Sequence, residues 1–157
     1  MILVLSQSGP KGKNRLLADD CTRLLEHFTN DEGTPILYRN FNDDDIQYQL
    51  EKAEKIVMVI PEWNASIPYT LKKTIDESGW PSSLKNKTIG LIGTSGGHGG
   101  NMLGVSHLSD ILHYVGADIN KHKVYVPYVN EDKKKDNDIG TLILELMKDI
   151  CLTTTKN

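Results

Sequence analysis

Cysteine is scarce in this chain of 157 residues, with Cys21 and Cys151 its only two. Two thiols cannot build a disulfide framework, and these lack metal-ligand spacing, so neither staple is expected. A cationic excess is also missing, with 18 Lys and Arg set against 21 Asp and Glu. That balance disfavours a general nucleic-acid-binding role, which needs a broad basic surface. Long apolar runs are absent as well. The longest aliphatic stretch, Ile56 to Ile60, falls far short of the ~18 residues of a membrane span. Met1 leads straight into Ile2-Leu3-Val4-Leu5, with no basic segment before it and no cleavage site behind it. The expectation is a cytoplasmic globular protein with no membrane partner. A chain of this length buries roughly 70% of the surface its unfolded form exposes, enough for a core without covalent help.

What is present is an alternation of two apolar patterns. Ile2-Leu3-Val4-Leu5, Thr34-Pro35-Ile36-Leu37-Tyr38, Ile56-Val57-Met58-Val59-Ile60, Thr88 to Ile92 and Val124-Tyr125-Val126 read as short strands. Between them, apolar residues recur at helical spacing. Leu17, Cys21, Leu24, Leu25 and Phe28 mark the first helix face, with Cys21 in the core, and Ile46, Leu50 and Ala53 the second. Ile67, Leu71 and Ile75 mark the third, with Pro68 suited to its first turn. Gly104, Leu108, Ile111, Leu112 and Val115 mark the fourth, closed by Gly116, and Ile139 to Ile150 the fifth. Strands that are apolar on both faces and alternate with helices imply a parallel sheet covered on both sides. No linker or internal repeat interrupts the pattern, so residues 1–157 are expected to form one domain. Asp43-Asp44-Asp45 and Lys133-Lys134-Lys135 read as solvated loop faces, and Thr153 to Asn157 as a frayed end.

In a doubly wound sheet of order 2-1-3-4-5, ligands bind beyond the carboxyl ends of the strands, where the strand order reverses. Three loops then converge, and they are the three richest in glycine and small polar residues. The first, Ser6-Gln7-Ser8-Gly9-Pro10-Lys11-Gly12-Lys13-Asn14, runs from a strand into a helix and suits a phosphate. It is neither a Walker A nor a dinucleotide loop, because Asn14 follows Gly12-Lys13 and no glycine stands five before Gly12. The second, Pro61-Glu62-Trp63-Asn64-Ala65-Ser66-Ile67-Pro68, leads into Leu71-Lys72-Lys73-Thr74-Ile75-Asp76. The third is Thr94-Ser95-Gly96-Gly97-His98-Gly99-Gly100, whose glycines let backbone approach a flat ring closely.

The second loop and its helix resemble the NADPH-dependent FMN reductases, the flavodoxin-like group that includes chromate, quinone and azo-dye reductases. That family has Pro-Glu-Tyr-Asn-Gly-Ser-Ile-Pro here, followed by Leu-Lys-Asn-Ala-Ile-Asp. This chain keeps Pro61, Glu62, Asn64, Ser66, Ile67, Pro68, Leu71, Lys72, Ile75 and Asp76, with Trp63 for the tyrosine and Ala65 for the glycine. The third loop is similar to the family's Ser-Pro-Gly-Gly-x-x-Gly, and the likeness continues through Leu108, Leu112, Gly116 and Ala117. The first loop departs from it. Gly9 and Gly12 stand where the family has an arginine and a second serine.

The resemblance implies a five-stranded flavodoxin-like sandwich and an FMN-dependent NAD(P)H oxidoreductase acting on a flavin, quinone, metal-oxyanion or azo acceptor. Hydride passes from NADPH or NADH to the flavin, which carries the chemistry, so no catalytic side chain and no metal is expected. Ser6, Ser8, Lys11, Lys13 and Asn14 are the expected phosphate ligands. Pro61, Glu62, Trp63, Asn64 and Ser66 are expected to line the isoalloxazine, with Thr94, Ser95, Gly96 and Gly97 at its pyrimidine edge and His98 nearby. A homodimer or homotetramer is expected, with Trp63 and its helix near the neighbouring subunit. The alternatives are a flavodoxin-type electron carrier and a flavin-free binding protein. A receiver-type domain fits poorly, since Ser6-Gln7 and Pro61-Glu62 stand where its acidic residues belong.

Overall fold

Five helices and five strands alternate without exception in the computed structural model, which describes residues 1–9, 11–29, 33–130 and 137–153. The strands are β1 (Ile2–Ser6), β2 (Ile36–Asn40), β3 (Lys55–Pro61), β4 (Thr88–Thr94) and β5 (Asp118–Val126). The helices are α1 (Lys13–Thr29), α2 (Ile46–Lys52), α3 (Tyr69–Asp76), α4 (Met102–Tyr114) and α5 (Asn137–Leu152). All strand pairings are parallel and the order is β2-β1-β3-β4-β5, the flavodoxin-like arrangement expected from the alternation. The lysine run at Lys133 to Lys135, Pro10 of the first loop and residues 154–157 lie outside the described residues.

Alternate strand residues feed two separate cores, as the two-residue period of a strand requires. Ile2, Val4, Val57, Val59, Ile92 and Val124 pack under α1 and α5, which contribute Cys21, Leu25, Leu146 and Ile150. Leu3, Leu5, Ile56, Met58, Ile60, Ile89 and Leu91 pack under α2, α3 and α4, through Leu50, Leu71 and Leu108. Two filled cores hold the sheet rigid and leave its carboxyl edge as the place where loops are free to differ.

Two elements differ from the sequence reading. β4 runs on through Gly93 and Thr94, which pair with Ile60 and Pro61, so the third loop begins only at Ser95. Gly93 is required there: a Cβ would sit 2.3 Å from the Gly100 carbonyl oxygen. β5 begins at Asp118 rather than Val124. It is an edge strand whose early residues, including Lys121, His122 and Lys123, are polar or exposed, so apolar patterning marks only its buried end.

Candidate functional site

β1 delivers the first loop to the carboxyl edge. Ser6 is fully buried, and its Oγ has no hydrogen-bond partner among the described residues. Beyond it the Ser8 N–H donates to Asn40 Oδ1 at 3.3 Å, and Gly12 N–H to the Gly9 carbonyl at 2.9 Å. Ser8 Oγ lies against Gly12 so closely that a Cβ there would be 1.7 Å away, so a side chain at this position would have to displace the Ser8 hydroxyl. Lys11 is exposed and Lys13 half-buried where α1 begins. Asn14 turns across the sheet, its Oδ1 accepting from Thr94 Oγ1 at 2.6 Å.

The second loop is a tight reversal. Trp63 and Ser66 exchange backbone hydrogen bonds of 3.0 Å in each direction, with Asn64 at φ 51° and Ala65 at φ 58°. Two successive positive φ values define a type I′ turn. Asparagine tolerates that region, whereas alanine is strained in it. This gives the family's glycine at the Ala65 position its physical reason. Glu62, Trp63, Asn64 and Ala65 are exposed and Pro61 is buried. The Trp63 ring lies 6.1 Å from that of Tyr69, which opens α3.

The third loop is closed by Ser95, whose Oγ donates to the Gly97 carbonyl and accepts the Gly100 N–H, both at 2.8 Å. The chain after β5 braces it: Val129 N–H donates to the Ser95 carbonyl and Tyr128 N–H to the Gly97 carbonyl, each at 2.9 Å. Gly96, Gly97 and His98 remain exposed. The Glu62 N–H donates to the Thr94 carbonyl at 2.8 Å, so Thr94 joins all three loops.

Most predicted site residues therefore gather on one edge, linked by Glu62, Thr94 and Asn14. Several partners carried no sequence signal. Thr70 Oγ1 donates to Gln7 Oε1, tying α3 to the first loop. Asn101, buried at the start of α4, donates from Nδ2 to the Ile60 carbonyl at 3.2 Å. Asn40 binds Ser8, and the pairing of β2 with β1 predicted by the strand order is the one clue to it. Behind the first loop, the Arg15 guanidinium stands 3.8 Å from the Tyr38 ring centroid and bonds Asp19 at 2.7 Å. That hydrogen bond raises the Arg15 pKa, and burial raises that of the Tyr38 phenol.

The arrangement suits a flavin mononucleotide. Ser6 carries a buried hydroxyl with no partner among the described residues. The loop after it runs into a helix start flanked by Lys11 and Lys13, and two further loops leave the same edge of the sheet. Anions are favoured at such a helix start. An open groove of about 750 Å³ runs from Ser66 and Ile67 down between α3 and α4, past Tyr69, Lys72, His107 and Ile111. It meets the second loop at Ser66 and Ile67 and is not lined by the first or the third. Among the described residues no group of His, Cys, Asp and Glu could hold a metal, and no helix is long and apolar enough to cross a membrane.

Strand order and the gathering of the three loops on one edge thus define the flavodoxin-like class of α/β proteins. The profile of the NADPH-dependent FMN reductases matches residues 2–131, and the chain belongs to that family. It is accordingly an NAD(P)H-dependent oxidoreductase that uses FMN. A 2-hydroxy-1,4-benzoquinone reductase from Burkholderia sp is 27% identical over 127 residues, covering 75% of this chain and 68% of the relative. Among solved structures, an apo NADH:FMN oxidoreductase superposes with TM-score 0.76 at 15% identity, covering 99% of this chain and 90% of that one. The two-electron reduced flavodoxin of Megasphaera elsdenii superposes with TM-score 0.73 at 15% identity, covering 98% and 100%.

Proposed function

We propose that residues 1–157 form a single FMN-binding domain that reduces a small planar acceptor, a quinone foremost, at the expense of NADPH or NADH. The observation that carries this reading is the convergence of three loops through Glu62, Thr94 and Asn14 at the point where strand order reverses. The choice of acceptor leans on the benzoquinone reductase among the relatives.

Bound FMN would supply the hydride-accepting ring, and the protein's part is to bind and orient it. Ser6, Ser8, Lys11, Lys13 and Asn14 hold the phosphate at the start of α1. Pro61, Glu62, Trp63, Asn64 and Ser66 flank the ring on one side, and Thr94, Ser95, Gly96 and Gly97 offer backbone to its pyrimidine edge. No side chain is assigned as nucleophile or base. Cys21 is buried in the core and not in a disulfide, in keeping with a reducing cytoplasmic setting. The protein works as a homodimer or homotetramer.

The purified protein should carry visible flavin absorbance and oxidise NADPH or NADH steadily when a benzoquinone is present. A colourless protein that FMN does not restore would overturn the reading. Flavin without nicotinamide turnover would point to an electron carrier instead. Within the site, Lys11→Ala with Lys13→Ala should weaken FMN far more than riboflavin, which lacks the phosphate. Equal weakening would place both lysines elsewhere.

A further inference from the structure

The first loop lacks the family's arginine, yet Ser8 within it is tied to a residue from another strand. Asn40 closes β2 directly opposite Ser6 of β1. Its carboxamide Oδ1 accepts two hydrogen bonds, from the Ser8 N–H at 3.3 Å and from the Tyr38 hydroxyl at 3.2 Å. Asn40 is itself fixed from both sides. Its N–H donates to Asp43 Oδ2 at 2.8 Å, and its carbonyl accepts the Asp43 N–H at 3.2 Å. The next residue, Phe41, donates its N–H to the Ser6 carbonyl at 3.1 Å and is itself buried. Tyr38 is held in turn by the Arg15 guanidinium over its ring.

We propose that Asn40 is a positioning residue for the phosphate loop, setting this enzyme's preference for FMN over unphosphorylated flavin. The inference rests on the reading of the first loop as the phosphate site. With its N–H engaged by Asn40, Ser8 has its hydroxyl left for a ligand, and that hydroxyl already stands against Gly12, one residue before α1. A serine fixed there replaces, by placement, part of what the arginine supplies by charge. A side chain at Gly12 would displace that hydroxyl, since a Cβ there falls 1.7 Å from Ser8 Oγ. Asn40 acts through Ser8 and touches no reacting atom.

The test is titration of FMN and of riboflavin into the full chain freed of flavin, followed by flavin fluorescence, for the parent, Asn40→Ala and Tyr38→Phe. Asn40→Ala should bind FMN about five- to tenfold more weakly, the worth of one hydrogen bond, with riboflavin unchanged. Tyr38→Phe keeps the ring beneath Arg15 and removes one donor to Oδ1, so it should shift FMN in the same direction by less. Loss of both ligands in proportion in Asn40→Ala, or of neither, overturns the proposal. Should Asn40→Ala fail to fold, an unchanged FMN affinity in Tyr38→Phe overturns it alone. A parent that binds FMN and riboflavin alike overturns the phosphate-loop reading itself. That result is distinct from a parent that discriminates while its variants discriminate equally.

Discussion

At the residue scale the second loop separates what a side chain does from what its backbone must do. Ala65 occupies a left-handed conformation at φ 58° in a type I′ turn. An L-residue pays about 1–2 kcal/mol for that region, offset in part by the entropy that glycine loses on folding. Ala65→Gly should therefore stabilise the fold by about 1 kcal/mol, a rise of roughly 2–4 °C in a thermal melt. An unchanged or lower midpoint would mean the turn is not held as described. Asn64 shares the turn at φ 51° but is exposed rather than buried. Its place was legible from the motif; its conformational task was not, because a positive φ leaves no hydrophobic pattern. Glycine and leucine separate the two roles. Asn64→Gly should keep the melting midpoint and weaken FMN about two- to twelvefold, the value of one hydrogen bond. Asn64→Leu should weaken FMN and also lower the midpoint, since leucine is strained at that φ. FMN affinity identical to the parent in the glycine variant would remove Asn64 from reach of the ring.

At the scale of elements, the strands and helices facing the cores were readable because burial writes a period into the sequence. Ile56–Ile60 and the helix through Leu108 and Leu112 fall where that period put them. The early part of β5 escaped because an edge strand is buried on few sides. Asp43-Asp44-Asp45, read as a solvated run, proves partly structural. Asp45 takes a two-pronged hydrogen bond from Arg39 at 2.9 and 3.0 Å and another from Gln49 at 2.9 Å, joining the end of β2 to the start of α2. The bond from Arg39, then that from Gln49, holds the Asp45 carboxyl below its usual 3.8. A carboxylate with a folded pKa below its unfolded one contributes stability above the unfolded pKa, and loses it as pH falls through the folded one. Asp45→Asn should accordingly melt below the parent at pH 7, and the gap should close as the solution is acidified from about 4 downward. A gap independent of pH would show that the pair contributes through shape alone.

At the scale of the whole molecule, one face does not look finished. Tyr69 lines the groove between α3 and α4. The same helices or the loops next to them carry two exposed aromatic pairs, Trp63 with Tyr69 and Trp80 with Tyr114, the rings of each pair 6.1 Å apart. Leu103, His107, Ile111 and Tyr114 recur at helical spacing along α4, and Leu103 and Tyr114 are 67% and 79% exposed. Leu103 and Tyr114, two exposed apolar side chains on one helix, are the expected contact of the homo-oligomer proposed above. Lys72 pairs with Asp76 and Lys73 with Glu77 on the same helix, and with Asp110 of α4 beside them the face carries little net charge to recruit a charged partner. A second copy related by a twofold axis would present the same face and bury both pairs at once. Light scattering at micromolar concentration should give at least twice the chain mass, and Leu103→Glu should return it to the monomer. Leu103 lies outside the three loops, so FMN binding to that monomer reports whether the neighbouring copy completes the flavin site. A parent that is monomeric and fully active would remove the dimer altogether.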